Sequence, residues 1–317
     1  MNILKTIVTS IAASTLFAAS ATAQLPRATK VFTLDPPTAG NPEGVAFDPA
    51  SGAFFAGSVW DGVIYRGTLD GNTATTFITP PAGYEACGMK AAQGKLYVAG
   101  CFSGRVSVYD IAQRREVAKF ENFGAGMLND LVVTDTGDVF VTDSFVPTLW
   151  RITAAQVAAG GGTPPAGIPV HPEIQYVYSP DPFNLNGIVS LNGGRRLIVG
   201  QSNTGKLFRI DFSDSAPYGR EIREIAVEPL FSDGLLLDHG QLVVVTFYPA
   251  ETLTFVKLDD RAERGTVVER RTNPTLRGPS TVAKARYFYL VANFDIALNR
   301  MPFTVTGLPR NDDGDDQ

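Results

Sequence analysis

One short pattern recurs six times along this chain and constrains its fold more than any other feature. Each copy opens with a short apolar run, passes through a polar turn, and continues with a second run rich in β-forming residues. A third strand-like run follows, and most copies close with a fourth. The openings lie 44, 42, 57, 47 and 46 residues apart. They begin at Glu43, Cys87, Asn129, Asn186, Asp233 and Pro279.

Four short strands every 42 to 57 residues, without helical periodicity of useful length, predict an all-β fold: a six-bladed β-propeller of four-stranded antiparallel blades. Residues 30–34 alternate like an outer strand, so we expect them to close the last blade beside the C-terminal segment. In blade three we expect residues 175–178 to form the fourth strand. Residues 154–172 are an expected surface loop with a short helix at 154–159. A two-sheet sandwich is the alternative architecture.

Both ends of the chain are expected to lie outside the propeller. Residues 1–23 carry a positive Lys5, an apolar run of small residues and an Ala-x-Ala sequence at 21–23, the pattern of a cleaved secretory signal peptide. An uncleaved N-terminal anchor is the alternative. No later segment approaches the length of a membrane span. We therefore expect an exported protein, periplasmic or secreted, with the propeller at 24–310 and a disordered acidic tail at 311–317.

The charge balance limits the class of partner. With 27 Lys and Arg against 32 Asp and Glu, the chain has a net charge of −5 and no basic surplus to neutralise phosphates. We expect neither nucleic acid nor an anionic membrane as its main partner. A monomer that binds a small-molecule substrate is the expected form.

The chain has two cysteines, Cys87 and Cys101, which lie at the same end of a predicted hairpin. An exported chain is found where disulfides persist, and the hairpin brings the two residues together, so we expect them to be bonded. Closing a loop of about 15 residues would stabilise the fold by roughly 3 kcal/mol. Two free structural thiols, or a catalytic cysteine, are the alternatives.

Residues at the same place in each repeat converge in a propeller, because the first strand of every blade lines the central channel. Blades one, three, four and five place Glu43, Asn129, Asn186 and Asp233 at the opening of that strand. Two carboxylates and two amides favour a divalent cation, Ca²⁺ first, with Mg²⁺, Mn²⁺ and Zn²⁺ as alternatives. At any single position, Asn-Gly or Asp-Gly is also ordinary turn chemistry.

Four of these motifs resemble the family of senescence marker protein, gluconolactonase and luciferin-regenerating enzyme, over about residues 40–300. They are Asn-Pro-Glu43-Gly, Leu-Asn129-Asp, Leu-Asn186-Gly and Ser-Asp233-Gly. The resemblance implies a cation held by Glu43, Asn186 and Asp233, with Asn129 binding substrate or a metal-bound water. It also implies hydrolysis of lactones or related esters, in which the cation polarises the carbonyl and Asp233 takes a proton from the attacking water.

The sequence departs from this family at one position that bears on the substrate. Sugar-lactone hydrolases of the family tend to have an arginine two residues before the blade-three asparagine, where this chain has Met127. We therefore expect Met127 to contact the substrate and to favour a hydrophobic lactone over a sugar-acid lactone. Phe123, Phe183 and Phe231, in loops that enter the inner strands, agree with this expectation unless they only cap the channel.

Other functions compete with lactone hydrolysis. A non-enzymatic propeller that binds a ligand or partner is the main alternative, because a fold does not determine a function. A metal-free condensing enzyme like strictosidine synthase is another. A serine hydrolase is disfavoured, since the chain lacks Gly-x-Ser-x-Gly and its two histidines lie in a long loop (His171) and in a hairpin turn far from the expected site (His239).

Overall fold

The fold is the all-β propeller that the repeat predicts. The computed structural model describes residues 28–36, 40–124, 126–213 and 220–310, so the predicted signal peptide and acidic tail lie outside the described residues. Within those ranges, 24 strands form six four-stranded antiparallel blades. The innermost strand of each blade contacts the innermost strand of the next, and the sixth contacts the first, which closes the ring.

The strands follow one another from the channel outwards. Blades one to three comprise β2 (Pro42–Asp48), β3 (Ala53–Ser58), β4 (Ile64–Thr68), β5 (Thr73–Ile78); β6 (Met89–Ala92), β7 (Lys95–Ala99), β8 (Val106–Asp110), β9 (Arg115–Phe120); and β10 (Leu128–Val133), β11 (Val139–Asp143), β12 (Thr148–Ile152), β13 (Ala166–Pro169). Blades four to six comprise β14 (Leu185–Leu191), β15 (Arg196–Gln201), β16 (Lys206–Phe212), β17 (Arg220–Glu224); β18 (Leu235–Asp238), β19 (Gln241–Thr246), β20 (Thr252–Leu258), β21 (Gly265–Arg271); and β22 (Pro279–Ala285), β23 (Phe288–Asn293), β24 (Thr304–Pro309), β1 (Lys30–Asp35).

The N-terminal strand closes the last blade, as predicted. β1 pairs antiparallel with β24 and, on its other edge, parallel with the outer strand β5 of blade one. Phe32 is fully buried and its ring centroid lies 4.7 Å from that of Phe54 in blade one. The chain therefore joins its first and last blades through both hydrogen bonds and packing.

Blade three contains one wrong prediction. Its fourth strand is β13, within the expected surface loop, and residues 175–178 form no strand. The hydroxyl groups of Tyr176 and Tyr178 instead donate to the carbonyls of Asp143 and Phe145, so this segment covers the β11–β12 loop. The short helix is confirmed as α1 (Ala154–Ala158), which begins at a capping box.

Glycines follow three of the predicted site residues, Glu43, Asn186 and Asp233, for a steric reason. A Cβ atom on Gly44 would lie 2.1 Å from the carbonyl oxygen of Cys87, and one on Gly187 would lie 2.6 Å from the backbone nitrogen of Leu235. The inner strand of the next blade therefore approaches too closely for any side chain at these positions. Hydrogen bonds such as Gly187 N–H to Asp233 C=O, 2.8 Å, join the neighbouring inner strands there.

Asp238 joins blades five and six at the end of the propeller where the inner strands finish. It accepts hydrogen bonds from Tyr289 Oη at 2.8 Å and Arg310 Nε at 3.2 Å, and it pairs with Lys284 Nζ at 2.9 Å. Burial raises the pKa of Asp238, but the hydrogen bonds of Lys284 and Tyr289 and the charge of Arg310 outweigh burial and hold the pKa below its usual range.

We expect Asp238→Asn to lower the free energy of unfolding by about 3 kcal/mol at pH 7, because it removes the buried carboxylate that pairs with both Arg310 and Lys284. The lowered pKa means that this stabilisation is complete above about pH 4, the ordinary range of an aspartate, and is lost as the pH falls through the folded-state value. Urea unfolding between pH 7 and pH 3 should therefore show the two proteins converging. Asp135→Asn, an exposed hairpin residue, is the control, and an equal loss there would contradict the prediction.

Candidate active site in the central cavity

A cavity of about 550 Å³ opens at the end of the propeller where the inner strands begin. The structure brings together in its lining all four oxygen-bearing residues that the repeat singles out. Each comes from a different blade: Glu43, Asn129, Asn186 and Asp233. Neither His171 nor His239 lines it, and His239 lies in the β18–β19 hairpin turn, as predicted.

Irregular pairing at the start of the inner strands aims these side chains into the cavity. The register of β10 with β11 shifts between Leu128 and Leu131, and that of β14 with β15 shifts between Leu185 and Ile188. Asn129 and Asn186 lie inside the two shifted segments. Such bulges bend a strand and redirect its side chains, and they are common beside functional sites.

Asp233 and Asn186 form a hydrogen-bonded pair across blades four and five. Asn186 Nδ2 donates to Asp233 Oδ1 at 2.7 Å. Asp233 keeps some surface toward the cavity but lies deep in the protein, and burial raises its pKa to about 7. The charge of Asp130 raises it further, while the hydrogen bond from Asn186 opposes the rise. Oδ2 is the oxygen that this hydrogen bond leaves available.

Glu43 is the second buried carboxyl group of the cavity. It is 7% exposed, and among the described residues no hydrogen-bond donor reaches its Oε2 atom. Burial and the nearby charges of Asp233 and Asp130 raise its pKa well above the usual value, and only Lys90 opposes the rise. Two carboxyl groups thus disfavour each other's charged form. A bound cation would remove this conflict.

The residues present fit a hard cation by their donor type. Asn129 Nδ2 donates to Ser144 Oγ at 3.0 Å, which leaves Asn129 Oδ1 buried and without a partner among the described residues. The described chain contains no group of three His, Cys, Asp or Glu side chains arranged for a metal ion. A cation here would therefore rely on amide oxygens as well as on Glu43 and Asp233.

Cys87 and Cys101 form the expected disulfide, with their Cα atoms 5.6 Å apart. Both line the cavity, and Met127 packs against them. Asp143, which sequence reasoning missed, positions this wall, because its Oδ1 accepts the backbone N–H of Met127 at 3.0 Å. It also accepts the N–H groups of Phe145 and Val146, and such backbone capping leaves no distinctive sequence signal.

Aromatic side chains surround the mouth of the cavity. Phe183 and Phe231 line it, as predicted, but Phe123 does not, because it is buried with its ring centroid 5.4 Å from that of Trp150. We call six exposed lining residues the aromatic rim: Trp60, Phe102, Phe183, Phe231, Phe247 and Tyr248. Four of them lie in loops after second strands, which the repeat pattern does not cover.

Comparison with solved structures shows the same fold in proteins of distant sequence. A luciferin-regenerating enzyme superposes with a TM-score of 0.64 at 12% identity, covering 90% of this chain and 96% of that one. A gluconolactonase from Xanthomonas campestris gives 0.61 at 15% identity, covering 86% of each chain. A chain of a mitotic checkpoint complex gives 0.63 at 10% identity, covering 96% and 99%. No protein-family model and no curated protein sequence matches this chain.

Proposed function

We propose that this protein hydrolyses lactones or related esters, using a divalent cation held by Glu43, Asn186 and Asp233. The observation that carries the proposal is the unpartnered, buried Oε2 of Glu43 in the same cavity as a second buried carboxyl group. Burying two ionised carboxylates in one cavity costs free energy unless a positive charge lies between them. The likeness to a gluconolactonase and to a luciferin-regenerating enzyme supports this class of reaction at the level of the fold.

Each residue of the cavity has a separate role in the proposed reaction. When bound, the cation would polarise the ester carbonyl and stabilise the negative charge that develops on its oxygen. Asp233 takes the proton of the attacking water at Oδ2, while Asn186 Nδ2 holds Oδ1 and fixes the carboxylate orientation. As the bond between the carbonyl carbon and the ring or ester oxygen breaks, the proton passes from Asp233 to that leaving oxygen. Asn129, whose Nδ2 donates to Ser144, presents Oδ1 to the attacking water and accepts a hydrogen bond from it.

The walls of the cavity support an apolar substrate. Met127 is 7% exposed and forms one cluster with Val59 and the disulfide, so no guanidinium is available there to bind sugar hydroxyl groups. The aromatic rim encloses the entrance above them. We infer that the preferred substrate is a hydrophobic lactone or ester.

Export to the periplasm or the medium belongs to the same proposal. The Cys87–Cys101 disulfide supports it, because disulfides persist in oxidising compartments. Among the described residues, no helix combines the length and the apolar character that crossing a membrane requires.

A panel of aliphatic, aromatic and sugar lactones, assayed with added Ca²⁺ or Mn²⁺ and again after chelation, tests this proposal. We expect cation-dependent turnover that is fastest with the apolar lactones. Met127→Arg should lower kcat/KM for the apolar lactones about tenfold or more, since it places a charge in an apolar wall. Met127→Leu, which conserves volume and apolar character, is the matched control. A preference for sugar lactones would contradict the assignment of the substrate.

A non-enzymatic binding propeller is the second candidate. It is favoured by the breadth of the aromatic rim, in which Tyr248 is 69% exposed and Phe247 is 50% exposed. No turnover of any lactone or ester with any cation would support this candidate over hydrolysis.

A further inference from the structure

The exposed large hydrophobic side chains are concentrated at one end of the propeller. Thirteen such side chains are found among the described residues, and eleven lie at the cavity end. Six are the aromatic rim, and the others are Val177, Tyr178, Ile296, Leu298 and Met301. The remaining two, Val31 and Val268, lie on the outer strands β1 and β21. We call the eleven residues the apolar collar.

The collar surrounds the cavity mouth on loops from different blades. Where blade three would leave a gap, Phe145 packs between Phe102 and Phe183, with ring centroids 5.6 and 5.4 Å apart. Leu298, which does not line the cavity, is 65% exposed in the β23–β24 loop. An apolar ring of this extent is uncommon on the free surface of a protein and indicates contact with an apolar phase or partner.

The basic side chains at this end of the propeller pair with carboxylates of the same chain. Arg105 pairs with Glu121 at 2.6 Å, and both Arg277 and Arg300 pair with Asp295, at 4.0 and 2.8 Å. The loops that carry the collar contain no lysine in the described residues. The same loops also carry the carboxylates of Asp61 and Asp181. The described part of this face therefore offers no surplus of positive charge to an anionic surface, and an electrically neutral lipid surface fits it better.

We propose that the apolar collar docks this protein on a neutral, zwitterionic lipid surface. Aromatic side chains mixed with Leu, Ile and Met are the types that insert at the boundary between headgroups and acyl chains. A second copy or a rigid protein seated on the ring would cover the cavity mouth, whereas fluid acyl chains leave it open to lipophilic molecules. The docking does not depend on hydrolysis and can be tested without it.

Flotation of the purified protein with phosphatidylcholine vesicles tests the proposal. The wild-type chain should float with the vesicles at low and high salt. The double variant Tyr248→Ser and Leu298→Ser should bind at least about tenfold more weakly, since it removes two of the most exposed apolar side chains of the collar. Val268→Ser is the matched control, because Val268 is 50% exposed on an outer strand and should leave binding unchanged.

Fluorescence of Trp60 gives an independent measurement. In a Trp150→Phe background Trp60 is the remaining tryptophan of the sequence, and its emission should shift to shorter wavelength when phosphatidylcholine vesicles are added. Three outcomes would overturn the proposal: no association with these vesicles, binding only to phosphatidylserine vesicles that salt abolishes, or equal binding by the double variant. A wild-type dimer that the double variant dissociates would overturn it in favour of a second copy.

Discussion

Asp233→Asn should lower kcat for the best lactone by at least about 10³-fold with the fold intact. The substitution keeps the size of the side chain but removes the oxygen that accepts the proton of the attacking water, and a general base of this kind contributes about 10² to 10⁴. Loss of a cation ligand adds to the effect. Without a cation, burial raises the pKa of Asp233 to about 7. The positive charge of a bound cation opposes this rise and favours the ionised form that a base requires.

Steady-state kinetics at saturating cation would measure the loss, because saturation separates weakened cation binding from the missing base. Asp61→Asn is the matched control, since Asp61 lies in the β3–β4 loop at the same end of the propeller but does not line the cavity. The unfolding midpoint of each variant should be measured alongside. Normal turnover by Asp233→Asn would remove Asp233 as the base and leave the cavity without an assigned one.

The blade count could be predicted because four of the six blades meet the same steric problem at the channel and have a glycine there: Gly44, Gly88, Gly187 and Gly234. Gly44 and Gly187 are required where the next inner strand approaches, so similar dipeptides recur at similar intervals. β13 was missed because only Ile168 in it is buried, and its Gly and Pro residues hide the alternation. Residues 175–178 show alternation without pairing, because the hydroxyl groups of their tyrosines hydrogen-bond to a loop instead.

The positions that converge on the channel could also be predicted, because the repeat itself defines them. Glu43 and Asp233 lie 190 residues apart in sequence, yet they line one cavity. The roles assigned to them stay predictions. Phe123 shows the limit of predicting cavity-lining residues from the sequence. Closeness in sequence to an inner strand does not decide whether a side chain faces the cavity or the core. Trp60 and Phe247 were missed because their loops share no repeat pattern.

The salt bridge beneath the candidate site could not be predicted from the sequence either. Lys90 Nζ lies 3.1 Å from Asp130 Oδ1, and together they act on Glu43 with opposite sign. The two residues come from neighbouring blades at unequal places in the repeat, so spacing alone does not pair them. The electrostatics of the cavity thus depend on groups that only the assembled ring brings together.

Chelation and re-addition of cation should change both the stability and the activity of this protein. At a Ca²⁺ concentration 100 times its Kd, binding adds about 2.7 kcal/mol, which corresponds to a rise in Tm of roughly 4 to 5 °C for a chain of this size. In Glu43→Gln the shift should nearly vanish. Without cation, however, Glu43→Gln should melt above the wild-type protein, because an amide replaces one of two buried carboxyl groups whose charged forms oppose each other.

The order of the two melting temperatures should therefore reverse between chelator and cation. A merely structural glutamate would not produce this reversal. Thermal unfolding of both proteins in chelator and in Ca²⁺, Mg²⁺, Mn²⁺ or Zn²⁺ would measure it, with Glu173→Gln, an exposed residue that does not line the cavity, as the matched control. A shift of the same size in Glu43→Gln would place the cation elsewhere. No shift with any of the four cations would contradict the cation site, and the two buried carboxyl groups would then share a proton to relieve their repulsion.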